Sequence, residues 1–478
     1  TIESKMKIAF FYKGRYFLQD ALVTETLLAI ARGYGHETAL IYDQDSFGLS
    51  DNIISSPLFH KIFSRPQKFL KKIMPLNLDL IVFYDAIHLN KSGIEDFVGG
   101  IKTSLPGVKI VYLSVIDLPP PRRVDFTLIG EPELTFDVFL RERYDTGSPA
   151  VFRIPGVVDV NKLPLPDKSL FERHVNFHDS YMVFTSKGCP AHCSYCLETV
   201  LKGTLGAHYC RRRLPEHVIA ELQEAQKRYR MREVIFKDSI FALNKDWLRQ
   251  FLAQYRKQIG LPYKCFAKAG SFDEEMAGML KESRCYCVEF GVQTLNESLK
   301  QRVLDREEHN AVIAKAFALC DRYHLAYDAD HLFGIPGESL GDHVTAAEIY
   351  ANLRSLNRIK CHNLVFYRQA KIFEWAPADI KNNDRYQSDF FSAVAGSPDM
   401  KIPNTCFQKY FKILPLFSPA MNSFLRNKER WKFFRFVPNI LIMAGMLVLA
   451  MKNQDKRFYF YLKYYPKTIL KTVLGCDA

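Results

Sequence analysis

Short apolar runs recur along the first 130 positions, at 7–11, 38–42, 78–84, 109–115 and 126–129, and they are dominated by Val, Ile, Leu, Phe and Tyr. Continuous runs of this kind, without polar alternation, predict strands buried on both faces and hence an open parallel sheet covered by helices. A helix is predicted at 21–32, where apolar residues take helical spacing before Gly33 and Gly35. From 141 to 182 the periodicity fades and Pro155, Pro164 and Pro166 appear, which marks a linker. Alternation then resumes, with strands predicted at 181–186, 233–237, 263–269, 287–292, 325–333 and 360–367. Helices lie between them, for example at 215–229, with Pro215 in the first turn, and at 273–281, with acids at its start. Six β/α units need a curved parallel sheet, either an incomplete barrel or part of a full one. The expected class is therefore α/β, with a Rossmann-like domain at 6–141, a linker at 142–180, a partial barrel at 181–380 and a mainly helical region at 381–478.

In an open parallel sheet, ligands sit beyond the carboxyl ends of the strands near the switch in strand order. The candidate loops are Tyr12-Lys13-Gly14, Asp85-Ala86-Ile87, Ser114-Val115-Ile116 and Gly130-Glu131-Pro132-Glu133. No G-x-G-x-x-G follows the first strand, so dinucleotide binding is unsupported. The 51–74 insertion is basic and aromatic and shows no repeat. In the barrel, chemistry is expected at the same ends of the strands. Asp238 follows the second strand, Lys268 ends the third, Gln293 follows the fourth and Gly334-Ile335-Pro336-Gly337-Glu338 follows the fifth. Asp238 reads equally as a helix N-cap, Gln293 as a turn residue and the glycine run as a tight turn; Cys285 and Cys287 read as core or wall.

The loop after the first barrel strand carries Cys189, Cys193 and Cys196 in the spacing C-x3-C-x2-C. Three thiolates on one short loop suit one corner of a [4Fe-4S] cubane, leaving the fourth iron open for an exchangeable ligand. The alternative is a structural zinc site, which needs a fourth protein ligand that only His192 or Cys210 offers.

Length and composition refine this picture. With 478 residues and 48% apolar content the chain can bury a large core. Its eleven cysteines follow no disulfide-scaffold spacing and no secretory leader is evident, so a reducing, cytoplasmic setting is expected. Residues 1–5, ahead of Met6, carry no weight. The net charge of +13 is concentrated late: 421–478 holds eleven Lys/Arg against Glu429, Asp455 and Asp477. The 436–451 run is sixteen residues long and interrupted by Pro438, Asn439 and Gly445, short of the roughly 20 needed to span a bilayer. Its basic, aromatic flanks at 430–435 and 456–461 suit helices lying on an anionic membrane or covering a greasy substrate. Ordinary packing on the barrel is the alternative. Nothing resembles a base-stacking module, so no nucleic-acid partner is expected.

At Cys189-x3-Cys193-x2-Cys196, with Tyr195 before the last cysteine, the sequence resembles the radical S-adenosylmethionine (SAM) superfamily. The order of the first domain, Gly130-Glu131-Pro132-Glu133, the Leu163-Pro-Leu-Pro-Asp linker, Gly291-Val292-Gln293-Thr294, Phe333 to Glu338 and Leu364 to Tyr367 is similar to the members with an N-terminal cobalamin-binding domain. The resemblance spans about 6–370. It implies that the three cysteines hold the cluster and that Gly188, Tyr195, Asp238, Gln293, Gly334, Ile335 and Pro336 contact cluster or SAM, with Arg211 and Arg213 as weaker candidates. It also implies that Tyr12, Lys13, Gly14, Ser114, Val115, Gly130 and Glu131 border cobalamin. Two departures stand out: Gln293 occupies a position that is often Glu, and no D-x-H-x-x-G follows the first strand. The implied reaction is reductive SAM cleavage and methylation of an unactivated carbon in a large hydrophobic substrate such as a lipid or tetrapyrrole, with electrons from a flavodoxin or ferredoxin. Cyclisation, oxidation or carbon–carbon coupling without methyl transfer is a second reading, and a non-enzymatic redox sensor a third.

Overall fold

The computed structural model describes residues 5–14, 21–44, 70, 73–84, 91–117, 119–142, 150–206, 208–382 and 398–455, with isolated positions 462, 463, 466 and 470. The 85–87 loop, most of the 51–74 insertion and the 456–461 flank lie outside the described residues.

The first unit is a parallel sheet of β1 (Lys7–Gly14), β2 (Glu37–Gln44), β3 (Leu80–Tyr84), β4 (Lys109–Ser114), β5 (Phe126–Ile129) and β6 (Ala150–Arg153), in the order β2-β1-β3-β4-β5-β6. Successive residues of β1 enter opposite cores. Ile8 and Phe10 pack with α1 (Leu22–Gly33), while Ala9 and Phe11 pack with Phe97 and Val98 of α2 (Lys91–Ser104). Burial on both faces is why these strands read as unbroken apolar runs. The sixth strand falls in the stretch expected to be linker. It is an edge strand whose residues alternate between half-buried and exposed, so it lacks that signal.

The linker is packed between the two units. Lys168 pairs with Glu25 of α1 at 2.8 Å, both side chains almost fully buried, and donates to the Met182 carbonyl at 3.1 Å. Met182 belongs to β7 (Tyr181–Val183), the first strand of the second sheet.

That sheet comprises β7, β10 (Val234–Phe236), β11 (Tyr263–Ala267), β12 (Cys285–Gln293), β13 (Ala326–Phe333) and β14 (Leu356–Asn363). All are parallel, in the order β14-β13-β12-β11-β10-β7, and β7 and β14 do not pair, which makes an open barrel. A small antiparallel pair, β8 (Ser186–Lys187) with β9 (Arg211–Arg212), carries no apolar run that would predict it. The predicted helix at 215–229 is present over those residues, and the one at 273–281 runs from Glu274 to Glu282 with Asp273 as its N-cap.

β14 begins four residues before its predicted position. Its sequence, Leu-Asn-Arg-Ile-Lys-Cys-His-Asn, reads as a solvated stretch because its inward side chains meet buried charges. Arg358 bonds Asp328 at 2.7 Å and Lys360 pairs with Glu289.

In the C-terminal region, α11 (Lys401–Ile413) covers the outside of the barrel. Its Phe411 ring lies 5.1 Å from His331 and 5.6 Å from Tyr350. α12 (Pro419–Arg426) and α13 (Asn439–Lys452) follow. No helix among the described residues is long and apolar enough to cross a membrane.

Candidate functional site

The three cysteines follow β8, on a loop that the backbone fixes from several sides. Ser194 N–H donates to the Leu304 carbonyl at 3.0 Å and Ile372 N–H donates to the Ser194 carbonyl at 3.0 Å. Cys196 N–H and the Thr199 hydroxyl both donate to the Cys193 carbonyl, at 3.1 and 2.9 Å, and Cys196 begins α4 (Leu197–Leu205). Gly188 sits at φ +86°, and a Cβ there would lie 2.7 Å from the Tyr209 carbonyl oxygen. Glycine is therefore required for β9 to close against the loop. Gly188→Ala should cost roughly 1–3 kcal/mol in backbone strain and displace Cys189. Anaerobically reconstituted G188A protein is expected to hold less iron than wild type and to melt earlier; equal iron content would contradict this.

All three thiols are free. Burial pushes Cys189 up to about 11 and Cys196 up to about 12, so both need a metal to become thiolates at neutral pH. Among the described residues no three His, Cys, Asp or Glu side chains group around a point that suits one ion. A cubane spreads its thiolates over separate irons, so the donor set suits that group better than a structural zinc, and Cys210 is exposed.

Arg306 stands in Asp305-Arg306-Glu307-Glu308, a charged run with the pattern of a solvated stretch. Its guanidinium donates to the Cys193 sulfur at 3.7 Å, the Tyr195 hydroxyl at 3.3 Å and the Gly291 carbonyl at 2.7 Å, and it pairs with Glu308. Gln293 ends β12 at φ +65°, and its amide folds back to within 2.7 Å of where a Gly291 Cβ would be. Cys193, Tyr195, Arg306 and Gln293 thus meet around Gly291.

Asp238 is no helix cap; Asn244 caps the helix that follows. It is buried and accepts from Thr185 N–H at 3.0 Å and from the Thr185 and Ser186 hydroxyls, with burial raising its pKa. Its carboxylate therefore ties the second strand's exit to the cluster loop. Gly334 N–H donates to Glu338 at 2.8 Å, and burial pushes Glu338 up to about 7. Ile335 enters an apolar floor shared with Val200, Leu304 and Ile116, while Pro336 is half-buried above it.

The loops of the first sheet reach the same rim. A cavity of about 210 Å³ is lined by Tyr84, Val115, Glu131 and Glu133 on one side and by Phe184, Lys187, Gly188, Leu201 and Tyr209 on the other. No histidine is among the described lining residues. Gly130 lies at φ +139°, where a Cβ would be 2.3 Å from the Ile154 carbonyl oxygen. Glu131 accepts from Arg211 at 2.6 and 2.8 Å and from Val158 N–H at 2.6 Å. Burial opposes its ionisation, but Arg211 and Lys187 outweigh it and lower its pKa. Glu131 is thus a clamp between the units rather than a free acid, and Lys187 pairs with Glu133 beside it. The Ser114 hydroxyl donates to the Ile116 carbonyl at 2.8 Å, which turns Val115 into the cavity. Tyr12 instead packs on Tyr42 and Phe171, outside the lining; Lys13 and Gly14 end β1, and their side chains are outside the described residues. Arg213 lines the cavity and pairs with Glu221 at 2.6 Å.

The chain is similar in sequence and fold to several known proteins. Residues 183–349 match the radical SAM superfamily. The chain is 21% identical to an uncharacterized methyltransferase of Pyrococcus horikoshii, over 80% of this chain and 85% of the relative. It is 26% identical to the cytidylyl-2-hydroxyethylphosphonate methyltransferase of Streptomyces wedmorensis, over 33% of this chain and 30% of that protein. Among solved structures, the radical SAM methyltransferase TsrM of Kitasatospora setae, with cobalamin and a [4Fe-4S] cluster bound, superposes with a TM-score of 0.60 at 11% identity, covering 90% of this chain and 99% of TsrM. The 183–349 segment is thus similar to the radical SAM superfamily, and the overall fold is similar to that of TsrM.

Proposed function

We propose that the chain is a cobalamin-dependent radical SAM methyltransferase acting on an unactivated carbon. The observation that carries this reading is the shared cavity, in which the cluster loop at Lys187 and Gly188 faces Val115 and Glu131 from the carboxyl ends of the first sheet. Cys189, Cys193 and Cys196 would hold the [4Fe-4S] cluster; Gln293, Gly334 and Pro336 would border SAM. Val115, Gly130 and Glu131 would border a corrinoid. At about 210 Å³, below the roughly 300–1,000 Å³ of drug-sized pockets, the cavity admits only part of so large a group. When bound, the cluster supplies the low-potential electron for cleaving the sulfonium bond and cobalamin carries the methyl group.

The chain's own residues set the geometry for that chemistry. Arg306 orients the Cys193 sulfur and Tyr195 against Gly291. Asp238 fixes Thr185 and Ser186 at the start of the loop, and Glu338 fixes the backbone of Gly334. Glu131 and Arg211 hold the two units together across the cavity.

The substrate is read as hydrophobic, supported by the apolar wall formed by Leu22, Val23, Leu163, Phe184, Leu201 and Leu205. Attachment to a membrane surface would suit such a substrate. TsrM was solved with tryptophan as substrate, so a smaller amphiphile fits the same reading. The test supplies cobalamin and methyl-labelled SAM to the reduced, reconstituted protein together with cell extract. Label is expected first on protein-bound corrinoid and then on an extract component. Failure to bind any corrinoid would remove cobalamin from the proposal.

A further inference from the structure

α13 is apolar on two opposite faces, and only one of them is packed. Ile442 and Leu449 are buried, and Gly445 brings the helix onto α11, where a Cβ would lie 2.8 Å from the Ile413 methyl. The other face is in solvent: Ile440, Leu441, Val448 and Met451 are 54–68% exposed. With Ala444 between them they recur every three or four residues, so they form one continuous stripe. Phe433 and Phe436, just ahead of the helix, are 63% and 76% exposed.

Contiguous apolar surface of this kind marks an interaction site, and its rim indicates the partner. From 421 to 452 the chain holds six Lys/Arg and one acid, Glu429, which is paired with Lys432. Arg435 lies beside the Phe436 ring at 5.9 Å, and Arg430 lies 3.8 Å from the Phe424 ring. Interleaved cations and aromatics suit the headgroup level of an anionic bilayer, with the aliphatic stripe entering the acyl boundary. At 14 residues, about 21 Å long, the helix is too short to span the roughly 30 Å hydrocarbon core and must lie in the plane. We propose that this face docks the protein on an anionic lipid bilayer. The inference does not depend on the reaction catalysed.

The full-length protein is tested by co-sedimentation with vesicles of phosphatidylcholine mixed with phosphatidylglycerol and with vesicles of phosphatidylcholine alone. It should pellet with the anionic vesicles and be released by added salt. The double substitution I440S/V448S, on exposed positions, should weaken binding roughly tenfold or more while the melting temperature stays unchanged. K432E/R435E should abolish the preference for the anionic vesicles. Wild type remaining in the supernatant with both vesicle types would overturn the proposal, as would equal binding to both. So would a dimer in solution that I440S/V448S dissociates, since the face would then belong to a second copy of the chain.

Discussion

Replacing Cys193 with alanine is expected to leave a folded protein that retains neither a full complement of iron nor the ability to cleave SAM. The loop does not need the Cys193 side chain for its shape, because its carbonyl already accepts from Cys196 N–H and the Thr199 hydroxyl. Ser194 and Ile372 pin the neighbouring backbone. What the substitution removes is the proposed thiolate ligand and one of the acceptors of the Arg306 guanidinium. Altering an outer-shell partner of a metal ligand typically costs about 10–100-fold, so loss of the ligand itself should exceed that. Iron and sulfide assays with an unchanged circular dichroism spectrum would establish the effect; full iron content in C193A would count against a cluster on this loop.

The largest expected change in stability comes from Lys264→Met. Lys264 is completely buried in the barrel lumen, 2.6 Å from Glu289 and paired with Asp328, and their side chains are 3% and 0% exposed. Removing one partner of a buried ion pair costs about 3–5 kcal/mol, because it strands charge in a low-dielectric interior. Two carboxylates are affected here, although Lys360 and Arg358 remain as partial partners. Burial alone would raise the Glu289 pKa, but Lys264 and Lys360 hold it well below its ordinary 4.5. A depressed carboxylate contributes stability in full above its unfolded pKa, and that stability is lost as pH falls through the folded value. Acid unfolding of wild type should therefore occur at lower pH than that of K264M, and urea melts at neutral pH should show the difference directly. Identical melts would mean that the lumen network contributes no net stability.

Those same lumen charges limit what the sequence reveals. The cysteine loop is legible because its ligands lie within eight residues. The strands of the first sheet are legible because both faces are buried. β14 is misplaced by the rule that charged stretches are solvated, since Arg358 and Lys360 point into a buried ionic network. Arg306 is hidden for the same reason, and β6 is hidden because an edge strand carries no continuous apolar run. Asp238 and Glu131 illustrate a different limit. Their positions at strand ends are predictable, but their carboxylates are taken up by Thr185, Ser186 and Arg211, which depends on how distant segments meet. The tail resolves into two parts: α11 is ordinary barrel packing, whereas α13 leaves an apolar stripe in solvent.

The most direct test of the central claim is made on the wild-type protein, reconstituted anaerobically with iron and sulfide, reduced and supplied with SAM. About four irons per chain, as a cubane requires, together with SAM-dependent formation of 5′-deoxyadenosine, are expected. A cluster-loaded, reduced protein that leaves SAM intact would contradict the account.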